Sequence, residues 1–262
     1  PRLSHYDFTY TDRNSLSASG WDFIAKTPLG VSRNTEQTNG AVISYDQQSH
    51  PGILRIPVDV GDLWGGLNNT RNTLFRDLPS GWTSVRLKIS SFNPLQNYQQ
   101  IGLAVYQDDN NYVYVTRVFN STNRVTFVNE VGGSPQSITT PQSATSNLYF
   151  RLDRDPLTET ITSYYSLDNI TWTLVGSVVH SLNNPRLAIV SGSSPVGFPN
   201  ADIAWVEVII GNNTLKEGFI PSILLNGELK KENAVLNWKS NCNVCPLENK
   251  LYQIYPNPVN TY

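Results

Sequence analysis

The chain has 262 residues, enough for one large β domain or one domain with a short appendage. Only 15% of them are charged, against 39% hydrophobic and 11% aromatic, and Ser, Thr, Asn and Gln stand where charges are usually found. A net charge of −2 gives nucleic acid and anionic membranes no electrostatic hold, and no apolar run reaches the roughly 18 residues of a membrane span.

Almost nothing in the sequence has a helical period. Short runs rich in Val, Ile, Tyr, Thr and Phe recur about every 10 residues, separated by Gly, Asn, Asp, Pro and Ser, as in an antiparallel sandwich or barrel. In chain order the predicted strands are GAVISYD (40–46), GILRIPV (52–58), RNTLFRDL (71–78), TSVRLKIS (83–90), IGLAVYQ (101–107) and NYVYVTRVF (111–119). They continue with RVTFVNEV (124–131), SNLYFRLDR (146–154), TITSYYSLD (160–168), TWTLVGSV (171–178), PRLAIVSG (185–192) and ADIAWVEVII (201–210). The fold class expected is all-β, a two-sheet antiparallel jelly-roll sandwich over residues 1–212.

Alternation assigns the faces. Ile101, Leu103, Val105, Val113 and Val115 should meet the other sheet. Gly102, Ala104, Tyr106, Tyr112, Tyr114 and Thr116 fall on the opposite face, where small residues beside aromatics make a shallow groove.

Composition changes after about residue 212. Residues 213–250 read as a short β extension or linker, with Cys242 and Cys245 in NCNVCPLE. A lone C-x-x-C without a βαβ setting is a weak redox signal, and a zinc site wants further ligands. A small loop disulfide between Cys242 and Cys245 is the first reading, with free thiols and then metal behind it. Without an initiator Met or a signal-peptide hydrophobic region, the N-terminus reads as processed or trimmed.

Two resemblances enter here. YPNPVN at Tyr255–Asn260, following LYQI, resembles the opening of a type IX secretion C-terminal sorting domain of Bacteroidetes, so residues 251–262 read as a truncated sorting tail. That resemblance implies an exported bacterial protein, secreted or held at the cell surface. GDLWGGLNNTRNTLFRDLP (61–79), YQQIGLAVYQDDNNYVYVTR (98–117) and YYSLDNITWTLVG (164–176) together resemble the concanavalin A-like sandwich attached C-terminally to family 43 glycoside hydrolases. Asn169–Ile170 departs from that family's Asp-Gly turn. A role with polysaccharide or oligosaccharide follows from the resemblance, as does a catalytic domain elsewhere in the full-length protein.

No catalytic set accompanies these motifs. Asp108 and Asp109 are adjacent in a hairpin turn, where side chains of this kind bond their own backbone; they cannot form the facing carboxylates, about 5–10 Å apart, of a glycosidase. The concanavalin-like hydrolases of family 16 carry E-x-D-x-x-E, and this chain does not. Asp202 and Glu207, five residues apart on one strand, should face opposite ways.

Sugar binding needs less: aromatic rings to stack on, and amide, guanidinium or carboxylate groups for hydroxyls. The expected ligand-binding residues are Trp64, Arg76, Tyr98, Gln100, Tyr106, Tyr112 and Tyr114. The loop 64–72 adds Asn68 and Asn69 beside a flexible Gly65–Gly66. The resemblance also implies a structural Ca2+ where the first and last strands meet, and Asp7 and Asp202 lie near those strands. The two resemblances together imply a non-catalytic carbohydrate-recognition module of an exported polysaccharide-degrading protein, its hydrolytic domain elsewhere in the full-length protein or absent. The alternatives are a glycoside hydrolase or polysaccharide lyase using the same sandwich, and a structural or adhesive module.

Overall fold

A computed structural model describes residues 1–27, 32–34, 42–192, 198–211, 223–225 and 228–230. The chain divides into two compact units, Pro1–Asn212 and Asn213–Tyr262. The Cys242/Cys245 pairing and the tail at 251–262 lie outside the described residues.

The first unit opens with β1 (Arg2–Asp7), the short helix α1 (Arg13–Ala18), β2 (Trp21–Asp22), β3 (Ile24–Lys26) and β4 (Ser32–Asn34). Next come β5 (Leu54–Pro57), β6 (Leu63–Trp64), β7 (Leu67–Asn68), β8 (Leu74–Asp77), β9 (Trp82–Phe92), β10 (Gln100–Asp108) and β11 (Asn111–Asn120). It closes with β12 (Thr122–Val131), β13 (Ser134–Pro141), β14 (Ser146–Asp155), β15 (Thr160–Ser166), β16 (Thr173–Val179), β17 (Arg186–Gly192) and β18 (Asn200–Ile210). In the second unit, β19 (Ile223–Leu225) and β20 (Glu228–Lys230) form an antiparallel hairpin.

Among the described residues, two seven-stranded antiparallel sheets stack into a sandwich. Sheet 1 has the order β1-β18-β9-β14-β15-β16 with β5 also on β18; sheet 2 has the order β13-β12-β11-β10-β17-β8-β2. Their facing side chains form one core, with Ile101, Leu103, Val105, Val113 and Val115 of sheet 2 against Val85, Leu87, Leu148, Phe150, Leu152 and Val206 of sheet 1. Each fully buried aliphatic or aromatic side chain there contributes about 1.5–3 kcal/mol. The period-2 reading of β10 and β11 therefore places their inward faces correctly.

Some elements carried no legible pattern. Strand β13 is Ser- and Thr-rich and flanked by Pro135 and Pro141, yet it pairs with β12 from Arg124↔Pro141 to Val131↔Ser134; as the edge strand of sheet 2 it tolerates proline. Strand β1 was not among the predicted strands; it pairs with β18 at the other sheet's edge. Helix α1 is set by a capping box, Ser15 N donating to Asp12 Oδ1 at 2.7 Å and Asp12 N to Ser15 Oγ at 3.1 Å. The strand expected at 40–46 is, where described, only a bridge between Ser44 and Arg55.

Two further findings concern local geometry. Asn169 has φ +61°, the left-handed position that glycine takes in an Asp-Gly turn; asparagine tolerates it, which accounts for the departure from the family pattern. On β18 the inward residues are Ala201, Ile203, Val206 and Val208. The register shift between Ile203 and Trp205 breaks the alternation, so Asp202 and Glu207 share the outer face rather than opposing each other.

Candidate functional site

The outer face of sheet 2 carries a second apolar cluster. Ala104, Tyr106, Tyr112, Tyr114, Val128, Ala188 and Val190 project from the sheet, and Ala25, Leu63 and Phe75 pack with them. The hairpin β6–β7 is the roof. Its turn is Gly65–Gly66, with φ +62° and +77°, the two positive values that a tight two-residue hairpin demands. A Cβ on Gly66 would lie 2.7 Å from Asn110 Oδ1, so close approach fixes glycine there as well.

The roof is pinned by a buried carboxylate. Glu130 on β12 is fully buried and accepts from Gly65 N at 2.8 Å, Gly66 N at 2.5 Å and Tyr112 Oη at 2.6 Å. Tyr112 Oη also contacts the Leu63 carbonyl at 2.8 Å. Tyr106 Oη donates to Asp109 Oδ1 at 2.6 Å, and Asn68 Nδ2 reaches Tyr106 Oη at 3.4 Å. Burial and the bond to Glu130 push the Tyr112 hydroxyl far above its ordinary pKa, and burial does the same to Tyr114. Gly65–Gly66 is therefore a clamped turn, not a flexible one.

These contacts revise the expected binding face. Tyr106 and Tyr112 are 1% and 0% exposed, sealed beneath the hairpin, and their hydroxyls are spent holding it. Arg76 differs too: Phe75 faces the tyrosines, so its neighbour Arg76 turns to the other side. There its guanidinium lies 3.8 Å from the Tyr6 ring centroid, and its Nη1 donates to the Ser19 carbonyl at 2.6 Å.

Beside the roof lies an open groove of about 680 Å³. Its floor crosses β10, β11, β12 and β13 in rows given by the register. Gln100, Val118 and Arg124 make one row; Thr116, Thr126 and Thr139 the next; Tyr114, Val128 and Ser137 a third. Trp64, Leu67, Tyr98, Asn69 and Asn120 also line it. Trp64 and Tyr98 are 42% and 48% exposed. Tyr98 has φ +70°, uncommon for a bulky side chain, and its N–H donates to the Phe119 carbonyl at 2.7 Å. Such strain persists only where surrounding structure holds it, and it clusters at functional sites.

Polar groups of the groove are preset. Asp62 Oδ1 accepts from Gln100 Nε2 at 3.0 Å and Leu63 N at 2.8 Å. Tyr114 Oη lies 3.2 Å from Gln100 Oε1 and 2.9 Å from Thr116 Oγ1, with one proton to give between them. This chain fixes the orientation of the Gln100 amide. Burial raises the Asp62 pKa above the usual carboxylate range, and neighbouring Glu130 adds to that. Of the expected ligand residues the structure thus gathers Trp64, Tyr98 and Gln100 at the groove, while Tyr114 lies in its floor as buried as Tyr106 and Tyr112. Asp62, Arg124, Thr126 and Thr139 escaped the sequence reading, although Arg124, Thr126, Val128 and Glu130 share one face by simple alternation.

The outer face of sheet 1 is built differently. Arg151 stacks between Tyr164 and Trp172, at 4.3 and 4.4 Å, and lies 3.1 Å from Asp153. Arg86 is 4.0 Å from Glu207, and Trp205 packs against His5 and Tyr149. Arg55 holds Asp202 through two bonds, Nε at 2.7 Å and Nη2 at 2.8 Å; Ca2+ at Asp202 would have to displace it. Asp7 accepts from Thr9 Oγ1 at 3.1 Å. Among the described residues no three His, Cys, Asp or Glu side chains converge, and no helix is long and apolar enough to cross a membrane.

Comparison with solved structures finds the same fold at low identity. The GH43 BlXynB protein from Bacillus licheniformis matches at TM-score 0.60 and 18% identity, over 78% of this chain and 39% of that one. The xylan β-1,4-xylosidase from Bacillus halodurans C-125 matches at 0.61 and 15%, over 80% and 39%. A functionally unknown protein from Saccharomyces cerevisiae matches at 0.54 and 13%, over 68% of this chain and 96% of that one. The chain thus spans about two-fifths of the first two of these. No curated protein matches the sequence. The family model of the β-xylosidase C-terminal concanavalin A-like domain matches residues 24–187, more than half of the chain and including both the roof and the groove floor. The chain belongs to the family of β-xylosidase C-terminal concanavalin A-like domains.

Proposed function

We propose that this domain is a non-catalytic carbohydrate-recognition module, and that the groove on sheet 2 is its binding site. The observation that carries this reading is the pairing of two exposed aromatics, Trp64 and Tyr98, with a preset polar floor. A saccharide ring offers apolar faces to the aromatics and hydroxyls to the floor, and Asp62, Gln100, Asn69 and the threonines supply acceptors and donors. Fixing these groups before binding lowers the entropic cost of recognition. The full-length protein is proposed to be an exported one with its hydrolytic domain elsewhere in the chain.

A hydrolase reading has one feature in its favour, the raised carboxyl of Asp62 in the groove. Neighbouring Glu130 is sealed under the roof with both oxygens engaged, so among the described residues no second working acid lines the groove. A pulldown on insoluble polysaccharides, with reducing-sugar release measured on the same samples, separates the readings. Retention without release is expected. Release that disappears in Asp62→Asn would overturn the module in favour of the enzyme.

A further inference from the structure

The described arginines mostly have a carboxylate partner. Arg55, Arg71, Arg86, Arg151, Arg154 and Arg186 each lie within 4.0 Å of an Asp or Glu oxygen. Arg124 is an exception inside the groove. Its one hydrogen bond to a described residue is a long one, Nε to Thr122 Oγ1 at 3.4 Å, and no described carboxylate pairs with it. Its two terminal nitrogens are left to the groove and solvent.

Register relates the Arg124 backbone to Gln100, the residue held by Asp62, which is the one carboxylate among the described residues lining the groove. Gln100, which Asp62 holds, is opposite Val118, and Val118 is opposite Arg124. Arg124 is therefore two strand spacings, about 10 Å, from the strand position that Asp62 holds. The floor positions between them are neutral. The groove is thus polarised: hydroxyl recognition beside Trp64 and Asp62, and an unsatisfied guanidinium at the β12 end.

We infer that the groove selects an acidic oligosaccharide, one whose neutral sugar ring stacks at Trp64 and whose uronic acid carboxylate is bound by Arg124. This rests on the carbohydrate-recognition reading and adds the ligand class to it. A planar guanidinium with free Nη1 and Nη2 matches a carboxylate bidentately, and such bonds are roughly twice as strong as neutral ones. Placement across a half-open groove rather than in bulk solvent lessens screening, so the preference is measurable in ordinary buffer.

Calorimetric titration of the full chain with a linear xylo-oligosaccharide, and with the same oligomer bearing one glucuronic acid branch, tests it. Wild-type protein should bind the acidic probe about tenfold more tightly. Arg124→Gln should abolish that preference, so that the variant binds the acidic probe no more tightly than the neutral one. Arg124→Lys should keep only part of it, because a point charge replaces the fork. Equal affinity of wild-type protein for both probes, or a preference that survives Arg124→Gln, overturns the acidic-ligand inference and leaves the groove reading standing. Failure of wild-type protein to bind either probe overturns both. Unchanged melting temperature in the variants establishes that lost preference is not lost fold.

Discussion

The two sheets present outer faces that obey the same alternation and end in opposite states. On sheet 1 the cations are consumed: Arg55 by Asp202, Arg86 by Glu207, and Arg151 by Asp153 and two aromatic rings. On sheet 2 a hairpin clamped by Glu130 hides Tyr106 and Tyr112 and leaves Trp64, Tyr98 and Arg124 lining the groove beside it. Away from the register shifts of β18, alternation settles which side chains leave the core. Whether they then meet solvent, a roof or a partner depends on chain segments far away in sequence.

The strongest way to break this comparison is to release the roof. Glu130→Ala leaves two backbone N–H groups and the Tyr112 hydroxyl without their acceptor, which should cost about 3 kcal/mol. For a domain of this size that lowers the melting temperature by roughly 10 °C, and glycan binding should fall with it because Trp64 loses its support.

Trp64→Ala tests the face itself. Binding should weaken about 30-fold, or about 2 kcal/mol, the usual loss for a central aromatic anchor. Melting temperature should barely move, since the ring is substantially exposed. Paired arginine substitutions then sharpen the contrast between sheets. Arg55→Ala should destabilise by about 1–2 kcal/mol by orphaning Asp202, whereas Arg124→Ala should change stability by less than about 0.5 kcal/mol. Thermal melts of the two variants side by side decide it.

Tyr98→Gly has an unusual expected sign. Relief of the left-handed backbone should leave the protein as stable or up to about 1 kcal/mol more stable, while glycan affinity falls. A loss of both would mark Tyr98 as structural. The smallest effect concerns pH. The native Asp62 carboxyl holds its proton to higher pH than in the unfolded chain, so stability should fall as pH rises from the ordinary carboxylate value through the raised one. Denaturant titrations of Asp62→Asn across that window should lack this decline.

Much of the fold was legible because β9, β10, β11, β14 and β18 are long, β-branched and alternating. The edge strand β13 was not, since its side chains are polar and mostly exposed and its attachment is the backbone ladder to β12. At the site, Trp64, Tyr98 and Gln100 were legible as residue types that bind sugars. The burial of Tyr106 and Tyr112 was not, because the clamp joins Gly65 and Gly66 to Glu130 across more than sixty residues. Likewise the shared face of Asp202 and Glu207 hangs on a register shift that no local pattern signals.

Affinity electrophoresis through gels containing a soluble polysaccharide that retards the wild-type protein compares the two faces most directly. Trp64→Ala on sheet 2 and Arg151→Ala on sheet 1 are run together. If the groove of sheet 2 is the binding site, Trp64→Ala migrates as if no polysaccharide were present and Arg151→Ala remains retarded. Retardation kept in Trp64→Ala and lost in Arg151→Ala, with both variants folded, would place binding on the other sheet.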